Sequence, residues 1–81
     1  MREKSPDFGS MQILTNKLFE ESEVIKRLDA VILAEAYDLP KDLREVIELL
    51  PPGSYTRRRF CDQVNSSIAG HGWGYVYGTV D

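Results

Sequence analysis

Three consecutive arginines, Arg57, Arg58 and Arg59, follow two hydroxyl residues, Ser54 and Thr56, and precede a thiol, Cys61. Guanidinium groups beside hydroxyls at the start of a helix are suited to anion recognition. The exposed N–H groups of a first helical turn and the arginine forks converge on phosphate oxygens. The same arginines face the positive end of the helix macrodipole, so their charge needs a partner. On a wheel of about 100° per residue, Arg57 points along the stripe formed by Phe60, Cys61, Val64 and Ile68. It is expected to pair with an acid of an earlier helix, and Glu21, Glu35 and Glu48 are the candidates. Arg58 stands one turn before Asp62, the spacing of an i, i+4 ion pair. Arg59 alone faces away from both.

Two function classes follow. In the first, Ser54, Thr56, Arg58 and Arg59 hold phosphate, and Tyr55 and Gln63 join them at the groove edge of DNA or RNA. The order helix, glycine-containing turn, helix, aromatic strand is helix-turn-helix-like, with the strand in the place of a wing. Affinity for a polyanion grows with the number of phosphate contacts, however, and two or three arginines on a chain of net charge −3 supply few. In the second class the chain is a protein-interaction module or small inhibitor. A wide apolar helix face and the aromatic residues Trp73, Tyr75 and Tyr77 would then meet a protein partner.

Catalysis finds little support. Cys61 falls on the apolar stripe and reads as a small core residue. His71, between Gly70 and Gly72, is the one histidine and has no second ligand at metal spacing, so neither a metal nor a cofactor is expected. The glycines at 70, 72, 74 and 78 match no phosphate-loop pattern. The reading is non-enzymatic.

These residues need elements to position them. With 81 residues the chain makes one small domain. Residues 1–10 read as a tag or disordered leader, because Gly9-Ser10-Met11 has the form of a junction before an initiator. Residues 11–81 read as a single helical domain. Met11–Thr15 suits either a strand or a first helical turn. Residues 16–39 carry Leu18, Ile25, Ile32 and Ala36 on one stripe, with Val24, Leu28 and Val31 beside it. This predicts a helix of about six turns with an apolar arc of roughly 180°, broader than one packing partner requires. Pro40 opens a second helix, whose Leu43, Val46, Ile47 and Leu50 repeat at i, i+3, i+4 and i+7, with Arg44 and Glu48 on its solvent side. Pro51-Pro52-Gly53 ends it, and Ser54 or Thr56 caps a third helix over about 55–69, with Gly70 as its C-cap. The alternation of Trp73, Tyr75, Tyr77 and Thr79 with smaller residues predicts a terminal strand.

The expected fold is therefore mostly α (α+β): three helices with a short C-terminal β element, winged-helix-like in outline, and no sequence repeat. The surplus apolar arc and the unpaired strand make a homodimer the natural assembly. No apolar run reaches the roughly 18–20 residues of a membrane span, and the lone cysteine suits a reducing, cytoplasmic setting.

Overall fold

A computed structural model of the chain describes residues 7–81, and of Tyr75 and Val76 the main chain alone. Helix α1 (Ser10–Leu18) is followed by β1 (Val24–Lys26), α2 (Arg27–Ala36), α3 (Lys41–Glu48), β2 (Ser54–Thr56), α4 (Arg57–Gly70) and the single turn α5 (Gly74–Tyr77). The domain is mostly helical with one two-stranded antiparallel sheet, in which Ile25 sits opposite Tyr55. Residues 7–10 of the expected leader pack on the domain: the Gly9 N–H donates to the Tyr77 carbonyl at 3.1 Å.

The six-turn helix expected over 16–39 does not form. Its first part belongs to α1, which buries Met11, Leu14, Thr15 and Leu18 at i, i+3, i+4 and i+7. Met11–Thr15 is thus helical. The chain then leaves the helix at Phe19, just before Glu20, Glu21 and Glu23, where continued helix would stack like charges near a negative dipole end. Ile25 next enters the core as the middle residue of β1, opposite Tyr55, while Val24 and Lys26 face outward.

Helix α2 packs in a way its composition disguises. It buries only Ala30 and Ala34, and its large residues Leu28 and Ile32 stay outside at 63% and 56% exposure. Small residues let the helix approach its neighbours closely, so Ala30 and Ala34 are sealed, Val31 and Leu33 pack half-buried beside them, and Leu28 and Ile32 face outward. The helix ends in a Schellman motif. Leu39 N–H donates to the Ala34 carbonyl and Asp38 N–H to that of Glu35, both at 3.1 Å, with Asp38 left-handed at φ 53°. The buried Leu39 is the apolar residue that usually completes the motif.

Helix α3 follows the sequence reading, and Leu43, Val46, Ile47 and Leu50 are all buried. Arg44 departs from it: the side chain is half-buried, and its Nε lies out of water without a hydrogen-bond partner. The Arg27 guanidinium donates to the Glu48 carbonyl at 3.1 Å, meeting one of the acceptors that the end of α3 leaves open.

Strand β2 leads directly into α4, as β1 leads into α2. Residues 21–30 and 51–60 share the same succession of buried and exposed positions, and each stretch contains a three-residue strand running into a helix. Across those ten pairs only Arg27 and Arg57 are identical, so the repeat is structural and cannot be read from residue types. The two units even divide one capping box between them. In α2 the Asp29 carboxylate takes the Lys26 N–H at 2.9 Å; in α4 the Thr56 hydroxyl takes the Arg59 N–H at 3.3 Å.

Helix α4 buries Phe60, Cys61, Val64 and Ile68 as expected. It runs through Gly70, and the left-handed position after it is Gly72 at φ 69°. A second Schellman motif forms there, with Trp73 N–H donating to the Ile68 carbonyl at 3.0 Å.

The terminal strand is absent. Residues 74–77 form a helical turn, and the tail after Gly78 has no strand partner. Amide side chains replace one. Asn65 donates to the Val80 carbonyl at 2.7 Å and accepts its N–H at 2.8 Å, and Gln12 does the same for Asp81 at 3.1 and 3.0 Å. With its main-chain groups satisfied this way, the tail lies in the cleft between α1 and α4.

Candidate functional site

The start of α4 holds most of the residues singled out for anion binding, but not as one cluster. Arg57 is committed inside the molecule. Its guanidinium donates to Asn16 Oδ1 at 2.5 Å and to the main-chain oxygen of Asp81 at 2.8 and 3.1 Å. No ion pair joins Arg57 to the expected partners Glu21, Glu35 or Glu48 among the described residues; the oxygens of Asn16 and Asp81 take its place as acceptors. Tyr55 is buried at 1% exposure and donates its hydroxyl proton to the Pro51 carbonyl, so it cannot reach a ligand.

Ser54, Thr56, Arg58, Arg59 and Gln63 are exposed. Among the described residues no ion pair joins Arg58 to Asp62; the one ion pair is Lys17 to Glu20, at 2.9 Å. The Arg59 guanidinium lies 5.5 Å from the Tyr55 ring centroid, a cation–π contact that holds the side chain against the sheet and leaves its charge uncompensated. No acid occupies the first turn of α4. Among the described residues two arginine charges therefore stand at a positive helix end without an ion-pair partner, beside a cleft of about 510 Å³ that Arg58 shares with Cys61, Asp62, Asn65 and Asp81.

The aromatic residues do not make an exposed platform. Tyr77 is buried, and its hydroxyl donates to the Asp42 carboxylate at 2.9 Å. Burial, then that hydrogen bond and charge, push its ionisation upward. Trp73 is half-buried, stacked on His71 at 4.2 Å and edge-on to Tyr77 at 5.8 Å. The side chain of Tyr75 lies outside the described residues. Cys61 is 6% exposed, and burial above all pushes its thiol pKa up, the reverse of what a nucleophile needs. Among the described residues no three His, Cys, Asp or Glu side chains gather closely enough for a metal ion, and no helix is long and apolar enough to cross a membrane.

A second surface lies on α2 and β1. Val24, Leu28 and Ile32 are exposed at 54%, 63% and 56%. Leu28 and Ile32 are one turn apart on the face opposite Ala30 and Ala34. Leu28 shares a shallow cleft of about 240 Å³ with Lys26, Arg27, Pro52, Gly53 and Ser54. Ile32 shares another, of about 370 Å³, with Lys17, Ser22, Asp29 and Leu33. Ile13 and Leu49 are also exposed, but each stands on a different helix, and single exposed apolar residues are ordinary on protein surfaces. The sequence signal for the α2 surface was its over-wide apolar arc; that the alanines would take the buried side was not visible.

At equivalent places in the two strand-helix units, then, Leu28 matches Arg58 and Ile32 matches Asp62. One unit shows an apolar face and the other a charged one. Comparison with protein-family models, with curated proteins and with solved structures finds no match to this chain.

Proposed function

We propose that this chain is a non-enzymatic binding protein that engages another polypeptide through the outer face of α2. The supporting observation is the inverted packing of that helix. Val24, Leu28 and Ile32 are each more than half exposed while Ala30 and Ala34 are sealed. Leaving two large aliphatics of one helix face in water forgoes about 1–2 kcal/mol of burial apiece, which a partner surface would recover. The test is a photo-reactive residue at position 28 in the cells that make the protein, with position 63 on α4 as the reference. Cross-linked polypeptide at 28 and not at 63 is the expected result. No adduct at either position defeats the reading.

A second reading rests on Arg58 and Arg59, which stand without ion-pair partners among the described residues at the start of α4. In it, Ser54, Thr56, Arg58, Arg59 and Gln63 contact DNA or RNA phosphates. A winged-helix-like description would suit this role: β1 lies between α1 and α2 and pairs with β2, although a helix follows β2 where a wing hairpin would stand. Titration with a labelled duplex at low salt tests it. Each of Arg58→Ala and Arg59→Ala should reduce the slope of log K against log salt by about 1. Absence of binding to DNA and RNA removes this reading. A cytoplasmic location, in keeping with one buried free thiol, belongs to both.

A further inference from the structure

Resting on the reading of α2 as an interaction face, we infer that its occupant is a second copy of this chain, packed antiparallel across α2. The face is self-complementary in that orientation. Two antiparallel copies of α2 crossing at the level of Ala30 set Leu28 of each against Ile32 of the other. The charges at the two ends of the face then meet as opposites. Lys26 is exposed beside Leu28, lining the same cleft. Glu35 is exposed on the same side of the helix, about 20° from Leu28 on the wheel. Neither has an ion-pair partner among the described residues.

In the antiparallel crossing Lys26, at the N-cap of one α2, comes to the C-terminal end of the other, where Glu35 stands, twice by symmetry. A parallel crossing would oppose Lys26 to Lys26 and Glu35 to Glu35. Each copy carries a net charge of −3, so the attraction has to be local, and this arrangement supplies it. The helix dipoles are also opposed in sense. Few large residues take part, so the dimer is a weak one, in the micromolar range.

Sedimentation equilibrium of the full chain, up to a concentration on the order of 1 mM, tests the inference. The wild type should show a reversible monomer–dimer equilibrium. Leu28→Glu, at an exposed site, should weaken it by about 30-fold or more while leaving the thermal melt in place. Lys26→Glu and Glu35→Lys should each weaken it, and the two together should restore it. A strict monomer overturns the inference, as does a dimer indifferent to Leu28→Glu. Failure of the double exchange to restore association overturns the antiparallel register. A foreign polypeptide cross-linked at position 28 of a chain that stays monomeric also sinks the dimer, yet leaves the interaction face standing; no cross-link of any kind sinks both.

Discussion

Arg57 reaches from the first turn of α4 to Asn16 on α1, and the same guanidinium holds the main-chain oxygen of Asp81. One side chain thus ties together α1, α4 and the tail. Its neighbour but one, Arg59, lays its guanidinium against the Tyr55 ring instead.

Arg57→Ala should accordingly destabilise the fold by about 1–2 kcal/mol, the worth of charge-assisted hydrogen bonds reduced for partial exposure. For a domain of this size that lowers Tm by roughly 5 °C or more. Arg59→Ala should cost no more than about 0.5–1 kcal/mol, the value of an exposed cation–π contact. Thermal melts of the two variants side by side check the division; equal losses would refute it.

Asp38 occupies a left-handed position at the end of α2, where its side chain is strained and its charge meets the negative dipole end. Asp38→Gly should therefore raise stability by about 0.5–1 kcal/mol, despite the added freedom of the unfolded chain. Urea denaturation measures this directly, and a lower midpoint with an unchanged slope would contradict it.

On α2 the ordinary expectation for large and small residues is reversed. Ala34→Leu should destabilise by about 1–3 kcal/mol, because no space exists beneath the helix. Ile32→Ala should stay within about 0.5 kcal/mol of the wild type in the monomer, because the isoleucine packs on little. Chemical denaturation at low protein concentration distinguishes them, and a larger loss for Ile32→Ala would reverse the orientation assigned to the helix.

Stability should fall in alkali before the main chain is otherwise affected. Burial raises the Cys61 thiol above its ordinary 9.0 and the Tyr77 phenol above its ordinary 10.0. Between the ordinary and the folded value the native state binds more protons than the unfolded one, so stability drops as pH rises. Both contributions are intact below pH 9 and are lost stepwise above it. Tyr77→Phe should cost about 1 kcal/mol at neutral pH through the missing bond to Asp42 and should flatten the upper part of the decline. A variant as alkali-sensitive as the wild type would show that the phenol is not the group responsible.

What the residues alone reveal depends on how local the deciding interaction is. Leu43, Val46, Ile47 and Leu50 complete an amphipathic period within one short helix, and all four are buried. Phe60, Val64 and Ile68 are legible for the same reason, and Thr56 is a capping residue by type. The break after Leu18 is not legible in this way, because Leu18, Ile25 and Ile32 keep helical spacing across it. What keeps the chain out of the helix beyond the acidic run is the pairing of Ile25 with Tyr55, on a segment remote in sequence. The tail misleads differently: its alternation mimics a strand, while Asn65 and Gln12 supply the hydrogen bonds that a neighbouring strand would have given. At the start of α4, residue type found the exposed Arg58 and Arg59 but could not show that Tyr55 would be sealed.

The alanine side of α2 has a consequence for how this chain can change. Since Ala30 and Ala34, flanked by the half-buried Val31 and Leu33, seat the helix, the outward residues at 28 and 32 are under little obligation to the folded state. Folding and recognition are written in separate letters of one short segment. Substitutions that redirect whatever meets this face can therefore accumulate without first being compensated elsewhere, and the helix is a place where new specificities could be selected or grafted on an unaltered scaffold.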